Sequence, residues 1–216
     1  MDKKRIGIQG GTFNPIHKGH LKAAETVNKE FFLDKILFIP SYIPPHKKSS
    51  HIAPPRDRFN MVKLALEEYP NFIPSRIEID AEEKSYSIIT LNKIKKSNPE
   101  ARIFFILGID AFLEIDTWKD TKDLLDNYSF IVISRPGFNL KEAKNILGGK
   151  YRNKMTEIRT HIKKEDIKYH DFFLLHVDSL DISSSDIRKR IKKGKSIHEM
   201  VPRNVEKYIK ENKLYS

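Results

Sequence analysis

Gly10-Gly11-Thr12-Phe13-Asn14-Pro15-Ile16-His17-Lys18-Gly19-His20-Leu21 is the stretch from which the fold is read. The short apolar run Ile6-Gly7-Ile8 precedes it, and Leu21, Ala24, Val27 and Phe31 follow with the spacing of one helix face. Strand, glycine turn and helix in that order present backbone N–H groups to an anion at the positive end of a helix. Gly10 and Gly11 remove side chains where a ligand would approach the main chain. Pro15 fixes one φ and biases Asn14 towards an extended conformation, so the turn is expected to be stiff. With a helix starting near Lys18, His17 and His20 share one side of its first turn. Two imidazoles beside amides that lack intrahelical acceptors suit anionic oxygens. A plain turn with two surface histidines explains each residue singly; glycines, proline and both histidines directly behind the first strand point to a site.

Outward from this stretch the alternation continues. Lys35-Ile36-Leu37-Phe38-Ile39-Pro40 reads as a second buried strand. Residues 41–56 hold Pro44, Pro45, Pro54 and Pro55 with His46, Lys47, Lys48 and His51, a long semi-rigid loop read as a functional flap. Residues 58–69 are helical, and Arg76-Ile77-Glu78-Ile79-Asp80 alternates like a strand with one wetter side. Ser85 or Ser87 is placed to N-cap a helix carrying Ile88, Leu91 and Ile94. Residues 102–107 form the strongest central strand, ending at Gly108-Ile109-Asp110, with Asp110 capping a helix from Ala111. A helical stretch follows Trp118, then the strand Phe130-Ile131-Val132-Ile133 closed by Ser134-Arg135-Pro136-Gly137. Residues 140–168 read as a basic, solvated helical excursion broken at Gly148-Gly149. A last strand at 172–177 leads to a helix ended by Gly194, and Pro202 opens a final one through Lys213.

This order implies the α/β class: a single domain over residues 1–216, with a doubly wound, mainly parallel sheet and helices on both faces. Its core spans about residues 5–191, and a helical C-terminal part about 192–216. Ligands bind such sheets beyond the carboxyl ends of strands, where strand order reverses. The motifs all fall there, which argues for one shared site.

Composition narrows the classes. With 39% hydrophobic and 32% charged residues and no bilayer-length apolar run, the chain reads as globular and not membrane-bound. Its basic start passes straight into a strand rather than a signal-type segment, and zero cysteines exclude disulfides and thiolate metal sites; both fit the cytoplasm. The net charge of +11 comes from lysines interleaved with acids, without an aromatic-basic motif for nucleic acid. Polyanionic small substrates account for it, and a basic nucleic-acid module is the remote alternative.

Ser183-Ser184-Ser185 form a second phosphate element at a helix start, where hydroxyls and amides bind oxyanions and Arg188 adds a planar fork. Serine capping explains one serine, not three followed by that arginine. Asp186 compensates the helix dipole.

The segment GGTFNPIHKGH resembles the signature of the HxGH nucleotidyltransferases, which join a nucleoside monophosphate unit from ATP or CTP to a phosphorylated acceptor. An attacking phosphate monoester is already anionic, so such a transfer needs alignment and charge stabilisation rather than a protein nucleophile. His17, His20, Ser184, Arg188 and Lys47 are donors for it. No paired carboxylates or metal-ligand cluster stand out, so Mg²⁺ would ride on the ATP phosphates.

Pro44-Pro45-His46-Lys47, Ser85-Tyr86-Ser87, Gly108-Ile109-Asp110 with Trp118, Ser134-Arg135-Pro136-Gly137 and Ile182-Ser183-Ser184-Ser185-Asp186-Ile187-Arg188 follow the order of the bacterial nicotinate-nucleotide adenylyltransferases. The resemblance covers about residues 5–191 and implies a Rossmann-like fold. It also implies transfer of the adenylyl group of ATP to nicotinate mononucleotide, giving deamido-NAD and pyrophosphate for NAD biosynthesis. By it, His17, His20 and Arg188 are catalytic, with His20 beside the transferred phosphoryl. Gly10, Gly11, Thr12 and Phe13 lie along the nucleotide, Ser183 and Ser184 hold its phosphates, and Gly108 and Asp110 sit beside a nucleoside. Trp118 stacks on the pyridine ring, Ser87 lies near its carboxylate, and Lys47 and Arg135 approach phosphate.

Asn14 stands where the family usually has Asp, and Ser87 where threonine is common, so a nicotinamide-mononucleotide adenylyltransferase remains the alternative. The stretch between Gly137 and Asp181 is longer than the family pattern, which leaves a homo-oligomer open. Phosphopantetheine and glycerol-phosphate nucleotidyltransferases share the first motif but not the later series.

Overall fold

A computed structural model describes residues 3–44, 52–178 and 180–216. In chain order its elements are β1 (Arg5–Gly11), α1 (Lys18–Phe31), β2 (Lys35–Pro40), α2 (Pro55–Ala65), β3 (Phe72–Pro74), α3 (Ser87–Ser97), β4 (Arg102–Gly108), α4 (Ile109–Phe112), α5 (Thr121–Asn127) and β5 (Ser129–Ile133). There follow α6 (Ala143–Ile146), α7 (Gly149–Arg152), β6 (Met155–Ile158), β7 (Phe172–Leu175), α8 (Ser184–Lys192) and α9 (Arg203–Glu211). The seven strands make one sheet in the order β3-β2-β1-β4-β5-β7-β6. β1 pairs with β4 in parallel from Arg5↔Arg102 to Gln9↔Ile106, and β4 with β5 from Phe104↔Ser129 to Gly108↔Ile133. Strand order reverses between β1 and β4, so the carboxyl ends carrying Gly10 and Gly108 flank the switch point. The α/β reading holds.

Contacts divide the described residues into two compact units. The first draws on Met1–Gly10, Ala23–Ile36 and Tyr86–Ser179, the second on Gly11–Lys22, Leu37–Ser85 and Leu180–Ser216.

The first unit is held by aromatic packing. Phe31 meets Phe173 edge-on with centroids 5.0 Å apart, and Phe130 stacks on Phe172 at 5.3 Å. All four rings are fully buried, and each contributes about 1.5–3 kcal/mol. Gly7 lets the turn after α1 and strand β4 close on β1: a methyl there would lie 2.7 Å from Leu33 Cδ1 and 3.0 Å from Ile106 Cδ1. Arg102 crosses the far end of β4, donating to Ser129 Oγ at 3.0 Å and to the Ile167 carbonyl at 2.7 Å.

Three expectations fail here, each for a local reason. Residues 140–168 are not one helical excursion: short turns and the four-residue helices α6 and α7 give way to β6, paired in parallel with β7 from Met155↔Phe172 to Ile158↔Leu175. Gly148 and Gly149 break the helix, and Met155-Thr156-Glu157-Ile158 has the alternation of a strand. Asp110 does not cap a helix, because α4 starts at Ile109 with Gly108 as its cap residue. Neither Ser85 nor Ser87 caps α3; Tyr86 holds that position with no side-chain cap bond, while Ser85 Oγ accepts from the Tyr42 N–H at 2.8 Å.

On β6, Glu157 accepts from His176 at 3.0 Å, Lys144 at 3.3 Å and Arg159 at 3.0 Å. These partners, His176 foremost, hold its carboxyl down at about 2 from an ordinary 4.5. A carboxyl depressed by folding stabilises fully above its unfolded pKa and loses that contribution as pH falls through the folded one. The cationic partners are well exposed, so Glu157→Gln should cost only about 1–2 kcal/mol at pH 7. Denaturant melts of both proteins should show that gap shrinking to less than half by pH 3. A gap independent of pH would refute the charge origin.

In the second unit, α2 begins with Pro55 at its first position, where no intrahelical N–H is missed, and packs against α9. Tyr208 Oη donates to Asp57 Oδ1 at 2.8 Å, and Asn204 Nδ2 donates to the Leu64 carbonyl at 2.7 Å. Residues 76–80 are a turn rather than a strand. The Asp80 N–H reaches the Arg76 carbonyl at 2.8 Å and the two side chains pair at 2.9 Å, an i,i+4 interaction that favours a helical turn over the alternating pattern. The strand of this region is β3, just before it.

Candidate active site

In the second unit the GGTFNPIHKGH turn leaves β1 and enters α1 at Lys18, so the two histidines lie at the helix start as their spacing predicts. The backbone passes through Phe13 at φ 46° and a cis Asn14–Pro15 peptide. The imidazoles of His17 and His20 lie against each other, tilted by 32° with centroids 3.7 Å apart, and the Phe13 ring meets His20 edge-on at 5.1 Å. His17 is 2% exposed. A Cβ on Gly19 would lie 3.0 Å from His17 Nδ1, so glycine at that position leaves room for the imidazole. The His17 N–H donates to His20 Nδ1 at 3.2 Å. That contact makes Nδ1 the acceptor and places the proton of a neutral ring on Nε2.

The serine-arginine element reaches the same turn. Arg188 Nη1 donates to the Asn14 carbonyl at 2.8 Å and Nη2 to Ser185 Oγ at 3.2 Å. Ser184 Oγ donates to the Pro15 carbonyl at 2.8 Å, and Ser183 caps α8 by accepting from the Asp186 N–H at 3.0 Å. A hydroxyl has one proton, so Ser184 has only its backbone N–H left to donate, at the start of α8 where helix amides lack intrahelical acceptors. The guanidinium has five N–H donors and spends two on these bonds, leaving others for phosphate oxygens. Residues far apart in sequence thus meet on two adjacent carbonyls, those of Asn14 and Pro15. Lys47 lies outside the described residues, as do His46 and His51.

The first unit holds the remaining residues. Gly10 is exposed, with nothing closer than Phe105 at 3.7 Å to a would-be Cβ. At the end of β4, Gly108 is buried; a side chain there would run into the Asp110 carboxylate and lie 2.8 Å from Arg135 Nε. Asp110 and Arg135 face each other at 3.7 Å, an ion pair too long for a hydrogen bond. The Arg135 loop is tied to the end of β7 by Ser134, whose Oγ accepts from the Val177 N–H at 3.0 Å. Trp118 is half-buried and edge-on to Phe105, with centroids 6.0 Å apart. Beside it the Lys119 ammonium lies 4.9 Å over the Tyr86 ring, next to Ser87 at the head of α3.

A family model described as cytidylyltransferase-like matches residues 8–190. The chain belongs to this family. A probable nicotinate-nucleotide adenylyltransferase of Moorella thermoacetica is 42% identical over 212 residues, covering 98% of this chain and 91% of its own. One of Desulfitobacterium hafniense is also 42% identical, covering 98% and 96%. Among solved structures, the nicotinic acid mononucleotide adenylyltransferase of Plasmodium falciparum complexed with NaAD superposes with a TM-score of 0.73 at 20% identity, over 98% of this chain and 97% of that one. That likeness carries the fold. Family membership makes the chain a nucleotidyltransferase. Among the described residues no helix is long and apolar enough to cross a membrane.

Sequence reasoning missed a residue that holds this turn from outside it. Arg58, fully buried in the first turn of α2, donates through Nε to the Ala53 carbonyl at 2.9 Å, through Nη1 to that of Thr12 at 2.9 Å and through Nη2 to that of Tyr42 at 3.1 Å. Burial pushes its guanidinium pKa down to about 10, which still leaves it charged near neutral pH. One signal was available: a cation near a positive helix end is unfavourable unless it serves acceptors elsewhere.

Proposed function

We propose that the chain transfers the adenylyl group of ATP to nicotinate mononucleotide, releasing deamido-NAD and pyrophosphate. A phosphate oxygen of the mononucleotide forms a bond to the α-phosphorus of ATP as the bond to the bridging oxygen of pyrophosphate breaks. The observation that carries this reading is His20 at the start of α1, its Nδ1 accepting from the His17 N–H and its ring lying against that of His17, on a turn whose carbonyls are held by Arg188 and Ser184. Donors fixed before the reaction stabilise the charge that builds on the phosphoryl oxygens without reorganising.

In the second unit, His17, His20, Arg188 and the amides of Ser184 and Ser185 would grip the triphosphate, with Gly11, Thr12 and Phe13 along the nucleotide and Ser183 fixing the helix start. In the first unit, Gly10, Gly108 and Asp110 would lie by the nucleotide, Trp118 under the pyridine ring, and Ser87 and Arg135 by the mononucleotide. Lys47 would add a phosphate contact. Ser87 has no capping duty, which leaves its hydroxyl to a ligand. The groups around the turn are imidazoles, hydroxyls and a guanidinium, donors for phosphate rather than oxygen ligands, so Mg²⁺ would be held through the ATP phosphates and offset their charge. The activity would belong to the cytoplasm, which the cysteine-free sequence fits.

The test is pyrophosphate release from ATP and Mg²⁺ with nicotinate or nicotinamide mononucleotide supplied separately. Faster release with the acid is expected; faster release with the amide would favour the second reading. Trp118 reports binding independently. Nicotinate mononucleotide should change the protein's fluorescence, because stacking alters the surroundings of its only tryptophan. A silent titration at saturating ligand removes that role from Trp118.

A further inference from the structure

Residues beyond α9 return to the catalytic turn. The Leu214 N–H bonds to the Ile209 carbonyl at 3.0 Å, which folds the segment back, and Tyr215 takes a φ of 67°. Tyr215 Oη then donates to Asn14 Oδ1 at 2.8 Å. The same oxygen accepts from the Ala53 N–H at 3.0 Å. Asn14 is 5% exposed, so these bonds are shielded from water. Burial pushes the Tyr215 phenol well above its usual range, which keeps it a proton donor at any working pH.

We infer that Tyr215 is a positioning residue for the turn that carries His17 and His20, acting through Asn14; the effect on turnover rests on the phosphate-site reading above. Peptide geometry gives the reason. A carbonyl and the following N–H point in opposite directions across one planar unit. Arg58 holds the Thr12 carbonyl and Ser184 the Pro15 carbonyl, so the N–H groups of Phe13 and Ile16 are turned to the opposite side. Arg188 holds the Asn14 carbonyl between them. The Asn14 side chain is the remaining handle on this segment, and Tyr215 with Ala53 fixes it. Releasing one of these bonds to Oδ1 lets the plane of residue 14 rock, and with it the direction of the flanking N–H groups and the entry to His17.

Tyr215→Phe removes the hydroxyl and keeps the ring. The expected result is a kcat lower by about tenfold, the factor for one neutral hydrogen bond, with the KM for ATP within about twofold of wild type. Hydrogen exchange of the Phe13 and Ile16 amides should quicken by a similar factor, while exchange in α5 and β5 stays unchanged. Asn14→Leu, which removes the acceptor from the other side, should show the same pattern, and the double variant should be no worse than Asn14→Leu alone; this reads the contact even if one variant folds poorly. Unchanged kcat with unchanged exchange at Phe13 and Ile16 overturns the inference, and so does faster exchange spread over the whole protein. A wild-type protein that releases no pyrophosphate from ATP and nicotinate mononucleotide counts against the proposed function, while the exchange experiment still reads the strut.

Discussion

His20→Ala is expected to lower kcat by about 10²–10³-fold, the usual effect of removing one preorganised donor from a developing oxyanion. The affinity for ATP should change by less than about threefold, because the ground-state triphosphate keeps the Arg188 fork and the amides of α8. The split follows from geometry. His20 Nδ1 accepts from the His17 N–H, so the proton of the neutral ring sits on Nε2, the atom proposed to meet the phosphoryl group. A donor that strengthens as charge moves onto the phosphoryl group contributes to turnover and little to binding. Single-turnover measurements beside ATP titrations check this. Equal losses in both would make His20 a binding residue only, and loss of neither would place the chemistry elsewhere.

What the sequence reveals about this fold is what periodicity carries. Leu21, Ala24, Val27 and Phe31 announce α1, and residues 102–107 announce β4, because both elements bury a continuous face or run. The segments misread are those where local pairing decides. At 76–80 the alternation of Ile77 and Ile79 suggests a strand, yet the Arg76–Asp80 pair and the Asp80 N–H bond close a turn. At 155–158 four residues are too short to register as a strand inside a basic stretch, and only pairing with the fully buried β7 makes them one. Capping was misjudged at Ser85 and Asp110 for a similar reason: each side chain is taken by a partner far off in sequence, Tyr42 in one case and Arg135 in the other.

The candidate site is legible to the extent that its residues are motif residues. The expectation that the histidine turn and the serine-arginine cluster meet holds, since Arg188 and Ser184 bond the carbonyls of Asn14 and Pro15. What sequence could not supply is the direction of each donor. The three serines read as hydroxyl donors for phosphate, but Ser184 spends its proton on Pro15 and Ser183 accepts within its own helix. The cluster therefore builds the turn first and offers an anion its backbone second. Arg58 and Tyr215 carry no motif at all. Their partners are main-chain or amide oxygens, and such contacts leave no pattern in one sequence.

Arg58 carries the largest expected effect on stability. Its guanidinium ties three segments together at the Thr12, Tyr42 and Ala53 carbonyls, and no carboxylate is hydrogen-bonded to it. Two effects oppose each other in Arg58→Met. Relief from burying a cation favours the variant, and the depressed pKa of the guanidinium measures that burden. Against it, the Ala53 carbonyl is left buried without its donor, at about 1–3 kcal/mol, and those of Thr12 and Tyr42, half-buried, recover only part of their loss from water. The carbonyls win because three acceptors lose their donor together, the nearby Glu78 carboxylate also loses the cation it favours, and the loss frees three loops at once. A net loss of about 3 kcal/mol is expected, a fall in Tm of about 6–12 °C for a chain of this size. Arg58→Lys should lose nearly as much, since an ammonium on a flexible stem cannot meet three carbonyls set around a planar fork. Thermal and urea melts of both variants decide it. A Met variant as stable as wild type would mean that the cation's burial and the carbonyls' satisfaction cancel, and that the turn before His17 is held by Arg188, Ser184 and Tyr215 without Arg58.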